Sequence, residues 1–296
     1  MKKASILAVT ILIFFRFVTV LAQEDKPDIQ VTQINGNLYK FNIGSVNLIA
    51  LVGEEGVLLS DDAFEDTADL IKKELRKIGY ENIKYVINTH WHSDHVGGNL
   101  VFGRDAVIIA QDNVRKLLSR KVVLPFWEEE HEALPEYARP DITFSKSLTL
   151  YYNGEVIKIT HLSNGHTDGD AVVYFKNANV LHMGDLLFSD SFPAVDFENG
   201  GDVAKFAENL QWVIDNIPAD VKIIAGHGPD YTVEQLKVYK NMLLSTLKIV
   251  RNEMKKGSSP EDMKKRKILK DWEKWANDFF TCELWIDIIY NSLVKQ

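Results

Sequence analysis

The chain has 296 residues, room for one substantial core with appendages. Its hydrophobic share of 46% and charged share of 26% exclude a disordered or fibrous chain. A formal net charge of -8 argues against a protein that gains affinity by neutralising phosphates, so nucleic acid is not an expected partner.

At the N-terminus, Lys2 and Lys3 precede an apolar run, and Val20, Leu21 and Ala22 place small residues at cleavage-site spacing. This is the pattern of a secretory signal peptide over 1–22, with Gln23 as the first mature residue. Arg16 interrupts the run and leaves it shorter than the roughly 20 residues of a spanning helix. The expectation is a bacterial protein exported to the periplasm or secreted, with no stable membrane anchor after cleavage. Cys282 is the single cysteine, so no intrachain disulfide forms, and a buried structural thiol is its expected role.

The runs 29–34, 38–43, 46–52 and 56–59 are β-type and parted by Asn-Gly, Gly-Ser and Glu-Glu-Gly turn signals, which predicts a meander. Leu70, Ile71, Leu75 and Ile78 fall at helical spacing and predict a helix over 67–78, followed by a strand at 83–88. A strand at 106–110 and a helix at 112–119 come next. The stretch 122–145 then reads as long and irregular, and with Phe126, Trp127, His131 and Tyr137 it could cover a site. Strands recur at 148–152, 156–161, 171–175 and 180–182, followed by a helix near 203–216 and a strand at 221–225. From Val233 onward the pattern is helical, with Leu236, Tyr239, Leu243, Leu247 and Val250 in one stripe. Gly257 to Glu261 mark a stop and a fresh N-cap. The expected division is a domain over 23–232 and a helical extension over 233–296 packed on it. Core packing is the expected use of Trp272, Trp275, Phe279, Phe280 and Trp285, with a dimer surface as the alternative. The basic run 263–270 reads as a solvated helix face.

Chemistry concentrates in Thr89-His90-Trp91-His92-Ser93-Asp94-His95-Val96-Gly97-Gly98-Asn99, directly after a predicted strand. His90 and His92 can turn to the same side in extended geometry, while Asp94 and His95 lie at a turn and can face a second ion. Neutral imidazoles suit zinc, and a carboxylate completes a harder neighbouring site. Gly97 and Gly98 allow close approach of backbone to this loop. His166 in Gly165-His166-Thr167, Asp185 in Gly184-Asp185 and His227 in Gly226-His227-Gly228 each follow a predicted strand in a Gly-marked turn. Singly they are unremarkable; with the first cluster they provide enough donors for two ions with a water position left open.

His-X-His-X-Asp-His, then Gly-His-Thr, Gly-Asp and Gly-His-Gly, resembles the metallo-β-lactamase superfamily across roughly residues 30 to 230. The resemblance implies an α/β fold, the metallo-β-lactamase αβ/βα four-layer sandwich, here with extra C-terminal helices. It also implies that His90, His92 and His166 bind a first Zn(2+), that Asp94, His95 and His227 bind a second, and that Asp185 bridges them. A hydroxide held between the ions would then be the nucleophile, and Asp94 would orient it as a catalytic residue besides ligating. Asp61 matches the family's acid that receives a histidine N–H, with a simple turn residue as its competing reading, and Asp170 stands likewise between the two. His131, His161 and His182 match no ligand position and are expected to pack or hydrogen-bond.

The implied activity is zinc-dependent hydrolysis of a small ester, lactone or amide. Zinc β-lactamases of the family usually place Cys or Ser where this chain has Asp185, so β-lactam cleavage is expected to be weak or absent. Two alternatives stand beside it: a mononuclear iron enzyme resembling sulfur dioxygenases of the same fold, and a small-molecule phosphoesterase. Iron and manganese remain alternative metals. The expected partner is a small-molecule substrate, and the expected state is a monomer or homodimer.

Overall fold

Strands β1 (Ile29–Asn35), β2 (Leu38–Ile43), β3 (Val46–Gly53) and β4 (Gly56–Ser60) pair in order as an antiparallel meander. The computed structural model describes residues 28–295, and the signal peptide read at 1–22 lies outside them. Helix α1 (Ala68–Lys77) follows a single 3-10 turn. Strands β5 (Ile83–Ile87) and β6 (Val107–Gln111) then extend the sheet in parallel, separated by the one-turn helices α2 (Ser93–Val96) and α3 (Asn99–Phe102). After β6 the chain enters α4 (Asp112–Leu118).

The stretch 122–145 differs from the irregular loop predicted. It holds a hairpin of β7 (Val122–Leu124) and β8 (Glu129–His131), a 3-10 turn at Glu136–Ala138, and β9 (Ile142–Phe144), the edge strand of the first sheet. Three-residue strands are too short to display an alternation. β9 exists because its backbone pairs with β6, Ile142 opposite Ile109, a non-local contact that local propensity does not encode.

A second sheet runs in the order β10 (Ser147–Tyr152), β11 (Glu155–His161), β12 (Ala171–Phe175), β13 (Val180–His182), and finally β14, which enters after helix α5 (Val203–Asn216) and spans Lys222–Ile224. It is antiparallel except for the β13–β14 pair.

Period-2 alternation builds the layers. On β3, Ile49 and Leu51 face inward and meet Ile157, Ile159, Val173 and Phe175 of the second sheet. Leu48, Ala50 and Val52 face outward and receive Ile71 and Leu75 of α1. Both faces are covered, so β3 and β4 read as near-continuous apolar runs. On the outer face of the second sheet, Val172 and Leu181 pack against α5, α6 (Val233–Lys255) and the C-terminal helices. The result is the four-layer αβ/βα sandwich.

The C-terminal segment continues through α7 (Pro260–Lys265), a 3-10 stretch at Lys270–Trp275 and α8 (Cys282–Val294). Thr232 and Ser259 close capping boxes that start α6 and α7. Trp285 is buried, stacks on Phe192 at 5.5 Å and donates its indole N–H to Thr246 Oγ1 at 3.0 Å, which ties α8 to α6 and to the domain. Trp275 is buried in the same cluster. Phe279 departs from the expected core role: it is 65% exposed. Cys282 is half-buried, with its thiol pushed up to about 11 mainly by that burial. No helix among the described residues is long and apolar enough to cross a membrane.

Gly97 and Gly98 are packed against the chain segment that leaves β4. A Cβ on Gly98 would lie 2.5 Å from the Asp62 carbonyl oxygen, and one on Gly97 would lie 2.9 Å from that of Ala63. This crowding is backbone against backbone and has no flexible partner to yield. Gly98→Ala is expected to cost about 2–3 kcal/mol of stability, read as a lower urea midpoint with an unchanged slope.

Candidate metal centre

Each functional side chain leaves the end of a strand at one shared edge of the two sheets. The segment from His90 to His95 follows β5, His166 lies between β11 and β12, Asp185 follows β13, and His227 follows β14. The loops meet because Asn47, at the start of β3, is fastened to the His227 loop. Its backbone N–H donates to Gly226 O at 2.8 Å, and its buried side-chain amide donates to Ala225 O at 3.0 Å and Gly228 O at 2.9 Å. A Cβ on Gly226 would fall 2.1 Å from Asp185 Oδ1, so the β14 loop can lie against Asp185 only with glycine there.

The donors form two adjacent groups, His90, His92, His166 and Asp185 in one, and Asp94, His95 and His227 in the other. Within each group the donor atoms lie within 4.8 Å of one another. Asp185 sits between them. Its Oδ1 is 3.1 Å from His95 Nε2 and 3.4 Å from His227 Nε2, while its Oδ2 is 3.5 Å from His166 Nε2 and 3.7 Å from His90 Nε2. Asp94 Oδ2 lies 3.2 Å from His227 Nε2 and 3.4 Å from His95 Nε2.

Every imidazole turns one nitrogen to a protein partner and the other into the site. His95 Nδ1 meets Asp61 Oδ2 at 2.8 Å, His166 Nδ1 meets Ala194 O at 2.9 Å, and His227 Nδ1 meets Ser45 O at 3.1 Å. His90 Nδ1 meets Thr89 Oγ1 at 3.0 Å, and that hydroxyl in turn donates to Asp61. His92 is reversed: its Nε2 faces Asp196 Oδ2 at 3.3 Å and its Nδ1 faces inward. The inward nitrogens approach each other, His92 Nδ1 to His166 Nε2 at 2.7 Å and His95 Nε2 to His227 Nε2 at 3.4 Å. His90 Nε2 is buried with no hydrogen-bond partner. Inward lone pairs with outward N–H groups are what a bound cation requires of histidine, since the outer acceptor fixes the tautomer. The residues therefore fit a metal.

Burial and the neighbouring charges shift the imidazoles in both directions. Burial, reinforced by the neighbouring His95, pushes His90 well below its ordinary value, and burial with His92 lowers His166 to about 4. Burial opposes ionisation of Asp185, but the imidazoles of His95, His227 and His90 outweigh it and hold the carboxyl well below the usual range. Burial would likewise lower His227, yet the Asp185 and Asp94 carboxylates pull it up to about 9.

Asp61 is the acid that receives a histidine N–H, and its backbone is strained for the purpose at φ 63, followed by Ala63 at φ 58. Besides His95, it accepts from Thr89 N at 2.7 Å and Thr89 Oγ1 at 2.8 Å. Asp170 serves differently: it accepts from His166 N and Thr167 N and shapes the loop rather than a ring. His182 is buried with Nδ1 on Ser60 Oγ at 2.8 Å, and His161 Nδ1 meets Asp170 O at 2.8 Å; both hydrogen-bond as expected. Sequence reasoning missed Asp196 and Asn47. Asp196 holds His92 and also accepts from Trp91 Nε1 at 3.3 Å. Neither residue sits in a motif: Asn47 lies at the start of β3 and Asp196 caps the 3-10 turn at Phe197–Asn199.

The centre forms the floor of a cleft of about 870 Å³. His131 and Trp127 of the β7–β8 hairpin line it, whereas Tyr137 turns away and packs under the Arg104 guanidinium at 4.2 Å.

The fold and this donor set define a metal-binding hydrolase scaffold. A model of the metallo-beta-lactamase superfamily matches residues 41–228, and the chain belongs to that superfamily. It is similar to a metallo-beta-lactamase type 2 of Bacteroides fragilis, 23% identical over 227 residues, 72% of this chain and 86% of that protein. It is also similar to a hydroxyacylglutathione hydrolase of Haemophilus influenzae, 30% identical over 172 residues, 53% of this chain and 74% of that one. The solved structure of a metallo-beta-lactamase from Pontibacter korlensis shares the fold, with a TM-score of 0.61 at 18% identity, covering 73% of this chain and 99% of that one.

Two measurements follow from the geometry. Asp196→Ala frees the His92 ring and is expected to weaken metal affinity at least about tenfold, read by titration against a chromophoric chelator with the fold checked by circular dichroism. In the metal-free chain, a His227 raised from 6.5 to about 9 contributes stability that is complete below pH 6.5 and is lost as pH rises through 9. The chelated protein should therefore melt at falling temperatures between those pH values, and the metal-loaded protein should not.

Proposed function

We propose that the chain is a binuclear zinc hydrolase that cleaves a small carbonyl compound, an ester, lactone or amide. The observation that carries this reading is the placement of Asp185, with one carboxylate oxygen toward each donor group, at the floor of an open cleft. His90, His92 and His166 would hold the first ion and Asp94, His95 and His227 the second. Zinc bound there supplies a Lewis acid for the substrate carbonyl and brings the ionisation of water toward neutral pH.

The chain's own residues perform the remaining tasks. Burial raises Asp94, but His95 and the hydrogen bonds from His227 and His95 hold it well below the usual carboxylate value. It is thus ionised and, at 22% side-chain exposure, reachable from the cleft. From there it orients the attacking water and accepts its proton. Asp61 and Asp196 keep His95 and His92 in their tautomers, and the buried walls keep bulk water from the inner donors. The Lys2–Lys3 and apolar pattern supports action outside the cytoplasm, on a substrate met there.

Elemental analysis of the purified protein is expected to give about two zinc per chain. A screen of esters, lactones, amides, thioesters, phosphoesters and β-lactams should then show turnover among the carbonyl substrates that a chelator abolishes. Asp94→Ala should lower kcat by about 10²–10⁴-fold with the first donor group still loaded. One iron per chain with oxygen consumption and no hydrolysis would move the protein to the dioxygenase class.

A further inference from the structure

The cleft has one continuous aromatic side. From its rim, Trp127 at the tip of the β7–β8 hairpin faces Phe279 at 6.5 Å with planes only 11° apart. Phe279 meets Phe280 edge-on at 4.8 Å, Phe280 meets Phe188 at 5.5 Å, and Phe188 stacks on the His227 ring at 4.9 Å and 14°. A row of rings thus runs from solvent to one of the metal-facing imidazoles, and all of them line the cleft.

Both ends of this row are held. Phe126 N donates to Glu198 Oε2 at 3.3 Å and the Phe126 ring packs on Phe197, which fixes the hairpin tip. Asn277 Oδ1 accepts from the backbone N–H groups of Phe279 and Phe280, and its amide donates to Ser191 Oγ at 2.8 Å. Phe279 nonetheless stays 65% exposed, a large apolar side chain kept in water beside a cleft. The charged lining does not balance it. Among the described residues, Lys40 is the only lysine or arginine in the lining, and it is already ion-paired with Asp230. Glu129 and Asp196 add negative charge.

We infer that the substrate carries, on the side remote from the scissile carbonyl, an uncharged aryl or similarly flat apolar group that lies along the wall made by Trp127, Phe279, Phe280 and Phe188. The reaction rests on the hydrolase reading above: water adds to the carbonyl carbon, the carbon–oxygen bond to the leaving alcohol breaks, and acid and alcohol depart. The binding surface does not depend on that reading. Offset and edge-on contact with these rings favours a flat apolar group, whereas a remote carboxylate would meet no unpaired lysine or arginine along the lining and would lose its hydration. The wall is built by the β7–β8 hairpin, by Phe188 beside the Asp185 turn and by the C-terminal segment, so most of the surface that sets specificity lies outside the His- and Asp-bearing motifs.

Two measurements separate this inference from the hydrolase reading. N-phenyl-1-naphthylamine, an uncharged arylamine whose emission rises in apolar sites, is titrated into the chelated and the metal-loaded protein. Saturable one-to-one binding is expected in both, and Phe279→Ala and Trp127→Ala should each weaken it about fivefold. Phe279→Leu, which keeps an apolar side chain but no ring, should fall between wild type and alanine. Methyl phenylacetate, methyl acetate and monomethyl succinate are then compared by acid release. The expected order of kcat/KM is phenylacetate first and succinate last, and the phenylacetate-to-acetate ratio should fall in both alanine variants through KM. Binding that is indifferent to Trp127 and Phe279, or a preference for the succinate ester, would overturn the inference. Ring-dependent binding with no ester turnover would instead count against the hydrolase reading and leave the wall standing.

Discussion

Seven polar side chains converge in the interior edge of this molecule, and the rest of the structure is arranged to make that tolerable. Five imidazoles and two carboxylates crowd together with inward nitrogens as close as 2.7 Å, and His90 Nε2 has no hydrogen-bond partner. Packed this way, neutral rings would set lone pair against lone pair and charged rings would repel. A cation relieves both at once, because every inward atom is a donor to metal and every outward ring nitrogen already has an acceptor. Burial with the neighbouring His95 lowers His90, while the Asp185 and Asp94 carboxylates raise His227.

The sandwich brings these groups together without strain in its core. Two sheets packed face to face place the exits of β5, β13 and β14 along one edge, and short loops there reach a common point. Where loops alone would splay apart, buried hydrogen bonds join the halves. Asn47 stitches the first sheet to the His227 loop, and the Asp61–Thr89 contacts tie β4 to the ligand segment after β5. Two of the non-glycine residues with left-handed backbone, Asp61 and Ala63, lie next to the centre, while the surrounding apolar layers are buried. That distribution suits a site in which geometry must be held before substrate arrives.

The C-terminal helices have two roles that pull in different directions. Trp275 and Trp285 bury their rings against α6 and the second sheet and add to the core. A few residues away, Phe279 and Phe280 are kept at the cleft, held there by Asn277. The same segment therefore stabilises the domain and shapes what can reach its metal-facing floor. The β7–β8 hairpin completes this wall from the other side, so the cleft's selectivity and its chemistry belong to separate stretches of sequence.

The candidate metal donors were legible from the chain alone because their pattern is local: His90, His92, Asp94 and His95 fall within six consecutive positions, and His166, Asp185 and His227 stand in Gly-marked turns after strands. Strand alternation in β3 and the helical stripe of α6 were legible for the same reason, since a period of two or of 3.6 is written in neighbouring residues. Asp196 and Asn47 were not, because their importance lies in partners 104 and 178 positions away. β9 was not, because its pairing energy comes from β6, and Phe279 was not, because an aromatic residue reads as core until the packing shows which ring is left outside. Spacing pointed to the ion-binding chemistry, and the family resemblance carried by those motifs implied the class of fold; the tertiary structure decided the ring orientations, the supporting acids and the aromatic wall, since each depends on contacts between segments that only folding brings within a few ångströms.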